Sequence, residues 1–122
     1  MDTQDLMLGD WVQGYLPDTS LKVVGIPSEY RLAVVTSDRT YMELSIDDCQ
    51  PIPITPEILE KNGFVYSDLP FEQSWQQFGL SLYRGGDGYR INCGENVAMI
   101  IDYVHQLQHA LRLCGIEKEI VI

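Results

Sequence analysis

The sequence predicts an α+β fold. A small SH3-like β-barrel or curled antiparallel sheet opens the chain, followed by a short helix, a β-hairpin and a C-terminal amphipathic helix. Three observations carry this. Short apolar-polar alternations punctuated by turn residues fill the first half, at the spacing of about eight to twelve residues typical of small all-β units. Thr55-Pro56-Glu57 then reads as a helix start, and the stretch from Val97 to Cys114 carries apolar residues at helical period.

The strands follow in order. Asp10 to Tyr15 alternates, and Leu16-Pro17-Asp18-Thr19-Ser20 is turn chemistry. Leu21 to Ile26 is a second run, broken by Pro27-Ser28. Tyr30 to Thr36 is a third, and Thr40 to Ile46 alternates again. Gln50-Pro51-Ile52-Pro53-Ile54 carries two prolines that cannot donate to a central ladder, so it belongs at an edge or barrel rim.

Thr55 is a cap for orphan N–H groups, Pro56 suits the first helical position, and Glu57 faces the positive end of the helix dipole. Asn62-Gly63 stops that helix, with Ile58 and Leu59 pinning it to the core and Phe64 closing behind. Phe64-Val65-Tyr66 is a strand candidate and Asp68 to Glu72 a loop. Trp75 to Tyr83 has Phe78, Leu80 and Leu82 at period two, and Gly85-Gly86-Asp87-Gly88 turns it into Tyr89-Arg90-Ile91. The glycines do not form a phosphate loop, because no Lys-Ser/Thr pair follows and no helix opens there.

The last helix is expected from Glu95 or Asn96 to Cys114, capped by Asn92 with Glu95 or by Asn96. It should stop at Gly115 with Ile116 folding back on Leu111. Ile120-Val121-Ile122 reads as a final strand. The whole chain, residues 1–122, is expected to form one compact domain with a β-rich sub-region 1–54 and an α+β sub-region 55–122.

The 122 residues are 45% hydrophobic, enough for a folded core, and no stretch approaches the length of a membrane span. The acidic start, Met1-Asp2-Thr3-Gln4-Asp5, lacks signal-peptide character, so a cytoplasmic protein is expected. Cys49, Cys93 and Cys114 show no CxxC spacing and read as reduced thiols. The formal charge is −10. Residues 1–60 hold eleven acids and three bases, residues 61–122 seven acids and five bases. That imbalance argues against nucleic-acid binding and for a protein partner with a basic surface.

One constellation suggests chemistry. His105 and His109 stand four residues apart on the last helix, a spacing that lets two imidazoles meet one metal ion. Gln106 stands where a zinc-protease motif has its glutamate and cannot act as a base. With Ile100 set at zero and ~100° per residue, Val97, Val104, Leu107, Leu111 and Cys114 form the core stripe. His105 and His109 then fall on the polar face beside Asp102 and Arg112. No cofactor is therefore expected. Cys114 on the core stripe is packing, and adjacent Asp47 and Asp48 point apart at a strand end. Trp11, Tyr15, Tyr30 and Tyr41 are candidates either for barrel core or for a shallow peptide groove.

Three islands also carry a resemblance: Gly9-Asp10-Trp11-Val12; Pro51 to Leu59 with Gly63-Phe64; and Tyr103 to Gln108 with Gly115-Ile116-Glu117. Their order resembles a family of short bacterial and phage-associated proteins of unknown function. The resemblance implies cytoplasmic residence and no activity, cofactor or catalytic residue. The family pattern carries an amide where this chain has His109, which weakens the metal pair. The sequence thus favours a non-enzymatic, acidic protein-interaction module. The alternatives are a metal-dependent enzyme built on His105 and His109, or an acidic DNA mimic or anti-defence protein.

Overall fold

The computed structural model of the protein describes residues 2–14, 19–69, 72–77, 80–85, 88–93 and 97–122. Among them are two five-stranded antiparallel sheets and two α-helices, an α+β fold that is mostly strand. The chain divides into two units, Met1–Ile52 and Pro53–Ile122.

The N-terminal unit contains β1 (Trp11–Gln13), β2 (Ser20–Ser28), β3 (Arg31–Val35), β4 (Tyr41–Ser45) and β5 (Gln50–Pro51), in the spatial order β4-β3-β2-β1-β5. Alternation decides which side is buried. Val12, Leu21, Val23, Leu32 and Val34 face inward and form the core with Leu6, Ile46 and Cys49. The turn before β1 is fixed by Gly9, at φ 91°. The buried Asp10 carboxylate accepts the Met7 N–H at 2.8 Å there. The 3-10 turn Ile46–Asp48 follows β4, capped by Ser45 Oγ, which accepts the Asp47 N–H at 3.3 Å. β5 lies at an edge, as its proline requires.

Two expectations change here. β4 and β5 stand at opposite ends of the order with no ladder between them among the described residues, so the sheet is not a closed barrel. Pro27-Ser28 does not end β2. β1 pairs only with Ser20, Leu21 and Lys22, so the far half of β2 has β3 alone as neighbour, and a register shift between Gly25 and Ser28 absorbs the proline.

The C-terminal unit runs α1 (Pro56–Lys61), β6 (Val65–Leu69), β7 (Glu72–Gln77), β8 (Leu80–Gly85), β9 (Gly88–Cys93), β10 (Val97–Ile101) and α2 (Val104–Leu113). Its strands form a simple meander, β10-β9-β8-β7-β6. The core gathers Leu80, Leu82, Ile91 and Ile101 from the sheet with Leu59, Val104, Leu107 and Leu111 from the helices, all buried. α1 starts and stops as its residues dictate. Thr55 Oγ1 accepts the Ile58 N–H at 3.3 Å, Pro56 opens the helix, and Gly63 at φ 86° ends it as Phe64 N–H donates to Leu59 O at 3.0 Å. The stop of α2 is equally regular: Gly115 has φ 74° and Ile116 N–H donates to Leu111 O at 2.9 Å.

Three expectations are corrected. Trp75 to Tyr83 is not one strand but two, β7 and β8, paired with each other through Trp75 opposite Leu82; Phe78 lies outside the described residues. The last helix is shorter, because Val97–Ile101 is strand β10. Met-Ile-Ile fits either period, and the β-branched pair favours the pleat. Ile100, taken as the centre of the helical stripe, therefore points out of the sheet and is 78% exposed, while its neighbour Ile101 is buried. The expected caps Glu95 and Asn96 lie outside the described residues. The helix is instead capped at its true start by Gln106, whose Oε1 accepts the N–H of Asp102 at 2.7 Å and of Tyr103 at 3.1 Å. Finally, residues 120–122 are not a strand. The buried Asn62 side chain takes the place of a neighbouring strand, accepting Val121 N–H and donating to Val121 O, both at 2.8 Å.

Candidate functional site

The two histidines come out differently from the helical wheel. His105 is buried, at 5% exposure, and His109 is half-buried. The buried arc of α2 is wider than its apolar stripe and takes in Gln108 as well. The Tyr103 ring stacks on the His105 imidazole, centroids 5.9 Å apart and planes within 7°. His109 meets the His105 ring edge-on at 5.7 Å. Gln106, between them in sequence, is occupied as the helix cap. Among the described residues no group of three or more His, Cys, Asp or Glu side chains stands together as a metal-ligand set.

The three aromatic candidates described in the N-terminal unit are not core. Tyr30 and Tyr41 are 66% and 75% exposed, Trp11 is half-buried, and Tyr15 lies outside the described residues. Register brings two of them together. Trp11 is opposite Lys22, Lys22 opposite Val35, and Val35 opposite Tyr41, so the four form one cross-strand row on the outer face. The Lys22 ammonium lies 5.8 Å from the Trp11 ring centroid. Tyr30 is apart, since Arg31, next to it, pairs with Ser45 at the far end of β4.

The row ends on β4, the terminal strand of the sheet. Beside it, the tip of the β3–β4 hairpin carries Asp38, held ionised below the usual carboxylate range by hydrogen bonds from the Thr36 and Thr40 side chains. Glu43, further along β4, pairs with Arg31 at 2.7 Å. Cys49 is a buried free thiol; burial first, and the Asp48 carboxylate second, push its pKa up. It is protonated at neutral pH and a poor nucleophile. Cys114 is half-buried at the helix end.

The concave features of the C-terminal unit went unread in the sequence. Its sheet has one inward row, Tyr66, Trp75, Leu82, Ile91 and Met99, in register across all five strands. Leu82 and Ile91 are covered, but Tyr66 is exposed and Trp75 half-buried. Period two places Arg84 on the same face as Leu82, opposite Tyr89. The result is a hollow of about 380 Å³ lined by Pro56, Tyr66, Trp75, Arg84 and Tyr89. A second hollow of about 430 Å³ shares Pro56, Arg84 and Tyr89 and adds Thr55, Gly88 and Asp102. Gly88 is closely approached at the rim of this hollow. A Cβ there would clash with Asp102 Oδ1 and come within 3.1 Å of Ile101 O. The sequence signal was the alternation Leu80-Leu82-Arg84: a cation continuing an inward-facing apolar series.

Comparison of the chain with protein-family models, with curated proteins and with solved structures gives no match. No helix among the described residues is long and apolar enough to cross a membrane.

Proposed function

We propose that the protein is a non-enzymatic interaction module that takes an extended basic segment of a protein partner along the free edge of β4. The observation that carries this is the edge itself. β4 ends its sheet, so one side of its backbone is without a strand neighbour among the described residues, and Tyr41 and Met42 on it are exposed. Natural edge strands of this kind are templates for strand addition. Charge chooses the partner. Residues 1–52 hold nine acids against three bases, and Arg31 is already engaged by Glu43. The strand order β4-β3-β2-β1-β5, with a 3-10 turn before β5, supports an SH3-like reading of this unit, open between β4 and β5.

The test uses a nine-residue peptide alternating arginine and valine, with an aspartate-valine peptide as control. Binding of the basic peptide is expected to weaken steeply with salt. Backbone amide shifts should concentrate on residues 41–45, and Glu43→Lys should reduce affinity. No binding at low salt, or shifts centred away from β4, overturns the reading.

A further inference from the structure

We infer that the Tyr66–Trp75–Arg84 hollow of the C-terminal unit is a second, independent binding site, for a flat aromatic ring bearing a carboxylate. It does not depend on the β4 edge. The argument begins with the sheet. An apolar residue on its inward face is normally buried, as Leu82 and Ile91 are. On β6 and β7 the same row continues with two aromatic rings, Tyr66 exposed and Trp75 half-buried. Tyr66 and Trp75 sit with centroids 5.1 Å apart and planes tilted by 50°. Two tilted rings with the Pro56 ring beside them make a cleft that accepts a flat apolar group edgewise or face-on.

Arg84 decides the rest of the ligand. Its guanidinium is exposed, lines both hollows, and has no carboxylate within ion-pair distance among the described residues. Apart from the phenol oxygens, the polar side chains among the described residues around the first hollow are hydrogen-bond donors: two phenols, an indole N–H and the guanidinium. A donor-rich apolar cleft with one cation is complementary to an acceptor-rich aromatic anion, and the planar guanidinium fork matches a carboxylate bidentately. The volume of about 380 Å³ lies within the range of small-molecule sites. Asp102 and Thr55, in the adjoining hollow, provide an acceptor carboxylate and a hydroxyl for any amino or hydroxyl group the ligand carries beyond its ring.

Such a carboxylate could belong to a free aromatic acid or to the C-terminal aromatic residue of a peptide. Calorimetric titration of the whole chain with indole-3-acetate, its neutral amide, and N-acetyl-Ala-Ala-Phe with a free C-terminus separates these sources. At least one of the two acids should bind, and the amide at least about tenfold more weakly, as expected for a charge-assisted pair. Arg84→Gln should remove that preference, and Trp75→Leu should weaken acid and amide alike. Because a variant can fail to fold, indole N–H and guanidinium resonances of the wild-type chain are followed in parallel, with Trp75 and Arg84 expected to shift on binding. The inference is overturned if neither acid binds, if acid and amide bind equally, if Arg84→Gln keeps the preference, or if the shifts fall outside the hollow.

Discussion

The two units leave different things open. The N-terminal unit closes its core with strands and short turns, and its open feature is a strand edge, made of backbone. The C-terminal sheet also ends on strand edges, β10 and β6, but what sets it apart is a hollow on its inward face, made of side chains. An edge offers hydrogen bonds that any extended chain can use, so selectivity must come from charge around it. A hollow offers rings and a guanidinium, so selectivity would come from the shape and charge of the side chains themselves. If both proposals hold, the salt dependence of the two sites should differ: steep for the edge, shallow for the partly enclosed hollow.

The contrast can be broken first at the helix cover. Leu107→Ala removes a fully buried side chain between α2 and the sheet. It is expected to cost about 2–5 kcal/mol in chemical denaturation. A nearly neutral result would mean that the helix contributes little to closing the C-terminal core. Next comes Asn62→Ala, which strips Val121 N–H and O of their partner and also loses the 2.8 Å bond to Ile58 O. The expected loss is about 1–3 kcal/mol, read as faster amide exchange at Val121. The smallest effect is in the strand-built core. Cys49 has its pKa raised above the ordinary 9.0, so folding favours the neutral thiol. That stability is complete below the unfolded-state pKa and is lost as pH rises from there through the raised folded value. Wild type should lose stability in that alkaline window faster than Cys49→Ala; parallel curves would remove the point.

Much of the fold was legible because its punctuation is local. Thr55-Pro56, Gly63 and Gly115-Ile116 act within one turn of helix, and each does what its chemistry dictates. Strand placement in the N-terminal unit was legible for the same reason, since turn residues bound each alternating run. Barrel closure was not, because it depends on whether β4 meets β5, a contact between residues distant along the chain. The β10–α2 boundary failed because Val97 to Ile101 is apolar at both periods, and the cap that settles it, Gln106, acts backward on Asp102 and Tyr103. His105 was misplaced for a related reason: it is buried although it lies off the apolar stripe, and a wheel carries nothing about neighbours such as the Tyr103 ring beside it. The three sequence islands turn out to hold turns and caps. The candidate hollow was invisible because it arises from five elements, each contributing one ordinary-looking residue.

Asn62 and Gly63 have a chemical consequence for the age of the molecule. An Asn-Gly step is the pair most prone to deamidation, in which the glycine nitrogen attacks the asparagine side-chain carbon and expels ammonia. Here Gly63 N–H is held on Glu60 O at 3.1 Å, and the Asn62 amide is bound from both sides by Ile58 and Val121. The folded chain thus restrains both reactants, while an unfolded or partly opened one releases them. The product carboxylate would face the oxygens of Ile58 and Val121 where a donor stood before. Each opening of this corner risks a permanent charge there, so the clamp on Val121 also restrains a chemical ageing step.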